Sequence, residues 1–332
     1  MTNSPKPPTL SVIIPVHNGG EAFKRCLTSL KQANSQPDEI LVVANGDETA
    51  AKLAESFEVN VVRIPTPEGP AMARNLGAKS AQSDILFFVD ADVEVHPDTI
   101  AQVKGVFAED EDLAALMGSY DDTPGAPNFL SQYKNLFHHY THQTGAEEAS
   151  TFWGACGAIR RQIFLDLGGF DESYRKPCVE DIELGYRLKN AGYRILLCKN
   201  IQVKHLKRWE PISLLKAEFF YRALPWTDLL VRKKQMSNDL NLKWSSRISV
   251  VCVYALLGSV AIALWQPWSA IVTILCAIAL TILNAPVYEF FRQKRGFFFA
   301  LRVVPWHWLY FFYSGLAFAI GTTRYWLSAM YN

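Results

Sequence analysis

Short apolar runs alternate with helix-length mixed segments in the first part of the chain. Four runs have the length and the β-branched and aromatic content of strands: "LSVIIPV" from Leu10, "EILVVA" from Glu39, "VNVVRI" from Val59 and "DILFFV" from Asp84. Strands that alternate with helices favour a mostly parallel sheet covered by helices on both faces. The pattern therefore predicts an α/β, Rossmann-like domain.

The last part of the chain has a different pattern. Residues 248–265, 268–288 and 303–323 contain no Asp, Glu, Lys or Arg, and each approaches the roughly 20 residues that cross a bilayer. We predict three transmembrane helices, with a buried helical core as the alternative. Basic residues precede the first stretch and fill the second loop: Arg232, Lys233, Lys234, Lys243, Arg247, Arg292, Lys294, Arg295 and Arg302. This bias predicts an integral protein of the cytoplasmic membrane, with the N-terminal domain in the cytoplasm and the last residues outside.

Two further segments mix aromatic, aliphatic and basic residues. Residues 211–246 suit a helix that lies in the membrane surface and is broken at Pro225, although packing on the domain is the alternative. Residues 128–143 suit a lid or a second surface helix. We therefore expect a cytoplasmic α/β domain in residues 1–210, interfacial amphipathic helices in 211–246 and a membrane region in 247–332.

Composition excludes several classes of function. The formal net charge of +1 lacks the basic excess of a nucleic-acid-binding protein. The six cysteines show no C-x-x-C spacing, so neither a zinc site nor a disulfide framework is indicated, and a reducing compartment fits. The polar, proline-rich start does not have the charged-then-apolar pattern of a secretory signal.

Polar residues follow three of the predicted strands: "HNGG" from His17, "NGDE" from Asn45 and "DAD" from Asp90. In open α/β sheets such strand ends form the ligand-binding edge. No glycine-rich phosphate loop follows any strand, which weakens dehydrogenase and NTPase interpretations. Asp90 and Asp92 lie on the same face of an extended chain, where their oxygens suit a divalent cation. A solvated acidic turn is the alternative.

A second acidic pair, Glu180 and Asp181, stands at the start of a helix predicted to run to about Ala191. Acidic residues are common there because they complement the helix dipole. Two adjacent carboxylates can do more, since one can hydrogen-bond the first turn while the other serves as a general base. The spacing of the two residues does not decide between the helix-dipole role and the general-base role.

Further candidates flank this pair. Trp153, Gly154 and Ala155 would allow a substrate to approach the backbone closely. The segment after the helix supplies groups for a metal, a phosphate or a sugar ring: His205, Lys207, Arg208 and Trp209. A merely hydrogen-bonded His205 and a membrane-surface anchor at Arg208 and Trp209 are the alternatives.

Five blocks in this order resemble the family-two glycosyltransferases of the GT-A fold over nearly all of the first 210 residues. They are "SVIIPVHNGG", "VVANGDE", "GPAMARNLGAKSAQSDILFFVDADV", "WGACGAIRRQIFLDLGGFDE" and "VEDIELGYRLKNAGYRI". The resemblance implies a nucleotide-diphosphate-sugar donor, a divalent metal (Mg²⁺ or Mn²⁺) at the D-x-D, and inversion at the anomeric carbon by a single displacement.

The resemblance also assigns roles to positions. Asp181 matches the family's catalytic base, with Glu180 beside it, and Asp90 and Asp92 match the ribose and metal positions, where His205 could complete the metal shell. The implied nucleotide-binding positions are Pro15, His17, Asn18, Asn45, Arg74, Asp90 and Ala91. Asn45 departs from the acidic residue usual at its position, which leaves the base unspecified. The acceptor and phosphate candidates are Trp153, Gly154, Ala155, Lys207, Arg208 and Trp209.

Only part of the Q-x-x-R-W motif of processive synthases is present, as Arg208 and Trp209 after His205. Together with the small number of spans, this favours transfer of one sugar to a hydroxyl of a membrane lipid or lipid-linked acceptor. A polyprenyl-phosphate glycosyl synthase is the first alternative. A membrane-tethered module that binds nucleotide sugars without turnover is the second.

Overall fold

The computed structural model describes residues 7–233 and 238–331. The polar start before residue 7 and Lys234 of the basic segment lie outside the described residues. The chain divides into two compact units, with the boundary between Arg208 and Trp209.

The first unit is built on one sheet of eight strands in the order β3-β2-β1-β4-β7-β6-β8-β5. The strands are β1 (Leu10–Val16), β2 (Glu39–Asn45), β3 (Asn60–Ile64), β4 (Ile85–Val89), β5 (Val93–Val95), β6 (Ala115–Tyr120), β7 (Cys156–Arg160) and β8 (Ile195–His205). The helices of this unit are α1 (Glu21–Lys31), α2 (Glu48–Ser56), α3 (Pro70–Ser80), α4 (Thr99–Glu109), α5 (Phe129–Gln143), α6 (Arg161–Asp166) and α7 (Glu180–Asn190).

The four strands predicted from the apolar runs are β1 to β4, and they pair in parallel as β3-β2-β1-β4. The rest of the sheet is mixed, because β7 runs antiparallel between β4 and β6, and β5 runs antiparallel to β8. Since β1, β2 and β4 are almost completely buried, their apolar runs are continuous rather than alternating. Polar residues that follow β1, β2 and β4 are thereby brought to one edge of the sheet.

Helix α5 corrects one expectation, since the segment 128–143 is neither a lid nor a surface helix. Leu130, Tyr133, Leu136 and His139 of this helix are buried, and it packs against β6 and β8. The aromatic and basic mixture is therefore explained by a half-buried helix in the soluble unit. Helix α7, in contrast, begins at Glu180 and ends at Asn190, close to its predicted bounds.

The second unit is helical. Its helices are α8 (Pro211–Lys216), α9 (Leu224–Lys233), α10 (Trp244–Ala263), α11 (Ser269–Leu283), α12 (Ala285–Arg295) and α13 (Phe297–Tyr331), with a π-helical segment, Ala217–Ala223, and a 3₁₀ turn, Leu240–Leu242. The predicted break at Pro225 is wrong, since residues 211–233 are continuously helical. The proline has no N–H to donate, and the wider π-helical turns just before it accommodate this loss without ending the helix.

Two helices, Trp244–Ala263 and Phe297–Ser328, are long and apolar enough to cross a membrane. The span predicted over 268–288 is not one straight helix, because α11 and α12 meet at Asn284 with a bend of 60°. Pro286 lies in the first turn of the new helix, and the buried Asn284 amide donates to Leu280 O and to Ser249 Oγ of α10. The described residues thus contain two candidate spans, or three if the bent pair counts as one.

Candidate active site

The acidic D-x-D stands in the turn between β4 and β5. The N–H of Val93 donates to Asp90 O at 3.1 Å, which closes the turn, and β5 then pairs with the end of β8 so that Val93 lies opposite His205. This pairing brings Asp92 to His205, with 3.6 Å between Asp92 Oδ2 and His205 Nε2. Residues more than a hundred positions apart therefore meet because a short antiparallel strand follows the turn.

A buried arginine joins the two acidic centres. Arg74 of α3 donates from Nη2 to Asp90 Oδ1 and from Nη1 to Glu180 Oε1, both at 2.8 Å. The Arg74 and Glu180 side chains are only 7% and 5% exposed, so their charges compensate each other away from water. The start of α7 and the end of β4 consequently lie on the two sides of one guanidinium.

Asp90 and Asp92 have different partners, which the pattern D-x-D does not reveal. Burial raises the pKa of Asp90, and the neighbouring Asp92 and Glu180 charges add to this effect while Arg74 opposes it. Burial also acts to raise the pKa of Asp92, but His205 and Lys207 outweigh it and the net shift is downward. Asp92 is thus held as a carboxylate.

Two of the residues that suit a cation lie close together. The described part of the chain contains no group of three or more His, Cys, Asp or Glu side chains arranged to hold a metal ion. Asp92 and His205 form a carboxylate–imidazole pair, and both ligand types suit Mn²⁺ or a similar cation. Asp90 is engaged by Arg74, so Asp92 and His205 are the two residues here that could hold a divalent metal.

Asp181 lies in the first turn of α7 and is half-buried. Its Oδ2 accepts from the Gly154 N–H at 3.0 Å and its Oδ1 from the Ile182 N–H at 2.8 Å. Each carboxylate oxygen can accept a second hydrogen bond. Glu180 is instead taken up by Arg74 and by the Cys178 N–H at 2.9 Å. The two adjacent carboxylates therefore have different partners. Glu180 forms the ion pair with Arg74, whereas Asp181 accepts hydrogen bonds from backbone N–H groups.

The segment before β7, which includes Gly154, lies beside both Arg74 and Asp181. Gly154 lets the guanidinium lie close to the backbone, because a Cβ at this position would be only 3.1 Å from Arg74 Cζ. Ala155 is buried. The ring of Trp153 packs edge-on against Tyr120, with their centroids 4.7 Å apart. Trp153 therefore helps to build the site's aromatic wall.

Tyr120 is a site residue that sequence reasoning missed. Its ring stacks on the His205 imidazole, with centroids 4.3 Å apart and planes inclined by 11°. His138 and His142, which are one helical turn apart in α5, pack against Trp153. No local pattern points to Tyr120, which stands at the end of an ordinary buried strand; only its place beside β8 brings it to His205.

The loops after β1 and β2 lie side by side. His17 Nδ1 lies 2.8 Å from Asn45 O, while the buried Asn45 amide donates to Glu68 O and accepts from the Glu68 N–H. Asn45 therefore shapes the loop with its side chain. Pro15 and Asn18 flank His17, the former partly buried and the latter exposed.

Asp47 is a second missed residue. Its Oδ1 accepts from the N–H groups of Thr49 and Ala50 and caps α2, and its Oδ2 accepts from the Gly19 N–H at 2.8 Å. An Asp directly before a helix is a recognisable N-cap signal, but its bond to the first loop is not. The same side chain thus fixes both loops of the predicted nucleoside site.

The remaining predicted site residues are described by their burial and their position in the chain. Ala91 is partly buried and packs against the core. Lys207 and Arg208 are exposed just beyond β8. Trp209 begins the second unit.

The first unit is similar in sequence to known proteins. Residues 11–168 match the family described as Glycosyl transferase family 2. A relative from Mycobacterium tuberculosis, "Pre-mycofactocin glycosyltransferase", is 27% identical over 240 residues, which cover 67% of this chain and 46% of the relative. The chain thus matches about half of that relative's length. "O-antigen chain rhamnosyltransferase RfbN" of Salmonella typhimurium is 25% identical over 234 residues, covering 65% of this chain and 74% of the relative.

A solved structure shares the fold. "Mannosyltransferase PcManGT from Pyrobaculum calidifontis in complex with GDP-Man and Mn2+" superposes with a TM-score of 0.54 at 17% identity and covers 85% of this chain and 88% of that one. The family match begins at β1 and includes Arg74, Asp90 and Asp92. Residues 11–168 are therefore similar to glycosyl transferase family 2 domains, on a fold that the chain shares with this mannosyltransferase.

Proposed function

We propose that the chain is a membrane-bound inverting glycosyltransferase. It would move one sugar from a nucleotide-diphosphate sugar to a hydroxyl of a lipid or lipid-linked acceptor, from the cytoplasmic side of the inner membrane. The observation that carries the proposal is the Arg74 bridge, because it gathers the donor-side Asp90 and the helix start with Asp181 around one buried cation. The names of the family-2 relatives and the candidate membrane spans agree with it.

The donor would be held at the edge formed by the loops after β1, β2 and β4. Asp92 and His205 are the residues that would hold a divalent cation, which supplies Lewis-acid stabilisation of the departing diphosphate when bound. The mannosyltransferase with the same fold binds GDP-mannose and Mn²⁺. Asp90, fixed by Arg74, would orient the nucleotide beside that pair.

The acceptor would be activated by Asp181. Its carboxylate takes the proton of the attacking hydroxyl, and the acceptor oxygen forms a bond to the anomeric carbon from the face opposite the leaving group. The bond between that carbon and the β-phosphate oxygen breaks, and its electron pair leaves with the nucleoside diphosphate. The bonds from Gly154 and Ile182 hold the base in place, so it reaches a hydroxyl without first reorganising.

The deciding experiment replaces Asp181 by Asn. We expect Asp181→Asn to keep donor binding, because the donor-side residues are unchanged, and to lose about a hundred- to ten-thousand-fold in transfer to a hydroxyl acceptor. Asp166→Asn, a substitution at the end of α6, serves as the control and should transfer normally. Full transfer by Asp181→Asn, measured in a radiolabelled-sugar assay with equal donor affinity, would refute the role of the base.

A second prediction concerns Asp92 and His205, the residues that would hold the metal. Asp92→Asn should weaken the binding of a nucleotide sugar in the presence of Mn²⁺ and leave its weaker metal-free binding unchanged, since the substitution removes one ligand charge. Titration calorimetry with Mn²⁺ and with a chelator measures both affinities. Asp98→Asn is the matched control, because the exposed Asp98 carboxylate accepts a hydrogen bond from the Asn34 amide at 2.6 Å and is not one of the residues assigned to the donor or the metal. Equal losses with and without metal would contradict the assignment.

A polyprenyl phosphate is the second candidate acceptor. The exposed Lys207 and Arg208 follow β8 directly after His205 and suit an anionic head group. A phosphate oxygen is already ionised and needs no strong base. A polyprenyl phosphate that accepts sugar equally well from the wild type and from Asp181→Asn would favour this function over transfer to a hydroxyl.

A further inference from the structure

The short segment between β2 and α2, residues 45–47, contacts the loops that follow β1 and β3. His17 Nδ1 in the loop after β1 lies 2.8 Å from Asn45 O. The Asn45 amide donates to Glu68 O at 2.6 Å and accepts from the Glu68 N–H at 2.8 Å, in the loop between β3 and α3. Three loops at the carboxyl ends of parallel strands are thereby joined through one segment, at the edge proposed to hold the donor.

Asp47 links the loop after β1 to helix α2. Its Oδ2 accepts from the Gly19 N–H at 2.8 Å, while its Oδ1 accepts from the N–H groups of Thr49 and Ala50 in the first turn of α2. The N–H groups of Ala50 and Gly19 lower the pKa of Asp47, so the side chain is ionised at neutral pH. Hydrogen bonds to an ionised acceptor are stronger than those between neutral groups, and this carboxylate makes them on both sides.

Gly19 also packs directly against the first turn of α2. A Cβ added at Gly19 would lie 2.6 Å from both the Cα and the Cβ of Ala50, and Ala50 is completely buried. The atoms of a buried helical turn cannot move aside, because the interior is close-packed. The loop after β1 is therefore held at one point of α2 both by its shape and by the Asp47 carboxylate.

We propose that Asp47 is a positioning residue of the nucleotide site, which holds the loop of residues 17–20 in the conformation that binds the donor. Both of its oxygens already accept hydrogen bonds from the protein, so it acts through this loop and not by contact with the nucleotide. A loop that is ordered beforehand does not have to be ordered on binding, which lowers the cost of binding. The inference rests on the proposed donor site and holds whether or not Asp181 is the catalytic base.

The test replaces Asp47 by Ser. A serine at this position keeps the helix cap, because its oxygen can accept from the N–H groups at the start of α2, but one oxygen cannot also occupy the position that binds Gly19. Asp84→Ser is the matched control, since Asp84 Oδ2 accepts from the Thr9 N–H at 2.9 Å. This contact joins the segments that lead into β4 and β1, at the opposite edge of the sheet. Both variants lose a link between two segments, but only Asp47→Ser loses it at the donor edge.

Two measurements on the whole chain in detergent read out the effect. Calorimetry in a buffer with Mn²⁺ measures the affinity for the diphosphates of uridine, guanosine, adenosine, cytidine and thymidine. For the diphosphate that the wild type binds most tightly, we expect about tenfold weaker binding by Asp47→Ser, as when the competent loop is populated about one-tenth of the time, and unchanged binding by Asp84→Ser. Without nucleotide, hydrogen exchange of the peptide that contains residues 17–20 should be faster in Asp47→Ser, and exchange within α2 should be unchanged.

A second variant displaces the same loop and leaves Asp47 in place. Gly19→Ala forces a Cβ against Ala50 and should also weaken nucleotide binding, whereas Gly105→Ala, with nothing within 4 Å of the added Cβ, should bind like the wild type. Wild-type affinity in both Asp47→Ser and Gly19→Ala overturns the proposal, as does faster exchange throughout α2, which would show a capping role alone.

The outcomes separate this proposal from the proposed function. A wild-type protein that binds none of the five diphosphates overturns the donor site and the role of Asp47 with it. Tight binding by the wild type and by Asp47→Ser alike overturns the role of Asp47 alone. Because binding is measured without transfer, the result for Asp47 does not depend on the effect of Asp181→Asn.

Discussion

Arg74 is the residue on which the charge balance of the candidate site depends. It lies between Asp90 and Glu180 and is itself 7% exposed. The surrounding carboxylates outweigh its burial, so its pKa is shifted upward. The planar guanidinium can serve both carboxylates at once through different nitrogens, which a lysine ammonium does less well. The same contact that balances charge therefore also holds the end of β4 and the start of α7 at a set distance.

Removing the Arg74 guanidinium should destabilise the fold. We predict that Arg74→Gln lowers the free energy of unfolding by about 3–5 kcal/mol, because it leaves the buried Glu180 carboxylate without its cation. Chemical denaturation of the purified protein measures the effect.

Arg63→Gln on β3 is the matched control. Arg63 also pairs with two carboxylates, Glu48 and Glu55, but all three side chains are more than 40% exposed, so the change should cost far less than the loss of the buried bridge. Equal losses for Arg63→Gln and Arg74→Gln would show that the buried bridge has no special energetic role.

At the scale of elements, helix α7 carries the proposed base, and its position depends on close contact with the segment before Gly154. Gly185 makes this contact possible, because a Cβ there would lie 2.3 Å from the Phe152 nitrogen and 2.5 Å from Thr151 Cα. Both atoms belong to the backbone and cannot move aside as a side chain could. The approach brings the start of α7 to the Gly154 N–H, to which Asp181 is bound.

Gly185→Ala should therefore displace α7. We expect it to lower stability by about 1–3 kcal/mol and to reduce transfer more than donor binding, since Asp181 moves while the strand-end loops do not. Gly105→Ala in α4 is the opposite case, because nothing lies within 4 Å of the added Cβ, and it should stabilise by about 0.5–1 kcal/mol. Thermal melts together with initial rates distinguish the two; a Gly185→Ala protein with normal stability and rate would contradict the argument.

At the scale of the whole molecule, the bend at Asn284 decides whether the described residues contain two or three candidate membrane spans. Helix α11 has 15 residues, about 22 Å at 1.5 Å per residue, which is short for a hydrocarbon core of about 30 Å. Helix α12 extends it but ends with Arg292, Lys294 and Arg295. If the bent pair crosses, the chain has three spans; if it re-enters, the chain has two.

We predict three spans, because α11 contains no charged residue and the basic end of α12 favours the cytoplasmic side. Reporter enzymes fused after Gly296 and after the last residue measure this. Three spans place the first reporter in the cytoplasm and the second outside, whereas a re-entrant pair reverses both locations. A reversed pattern would also remove one of the spans predicted from the sequence.

Local patterns revealed those parts of the candidate site that depend on neighbours in the chain. The D-x-D at the end of a buried strand and the acidic pair at the start of a helix are both features of fewer than ten residues. The role of Arg74 as a bridge, the stacking of Tyr120 on His205 and the double contact of Asp47 are not local. They arise from the pairing of strands and the packing of helices, and no spacing in the chain encodes them.

The sequence by itself determined the four parallel strands, the helix at Glu180 and the apolar tail, because hydrophobic periodicity and the distribution of charge are properties of contiguous residues. Only the tertiary structure decided that β7 and β5 run antiparallel, that Pro225 lies within a helix and that the segment 268–288 bends at Asn284. It also decided that Asp90 faces an arginine while Asp92 faces a histidine. These outcomes depend on which distant groups share a buried volume, and burial fixes the partner of a charge more strongly than its neighbours in the chain do.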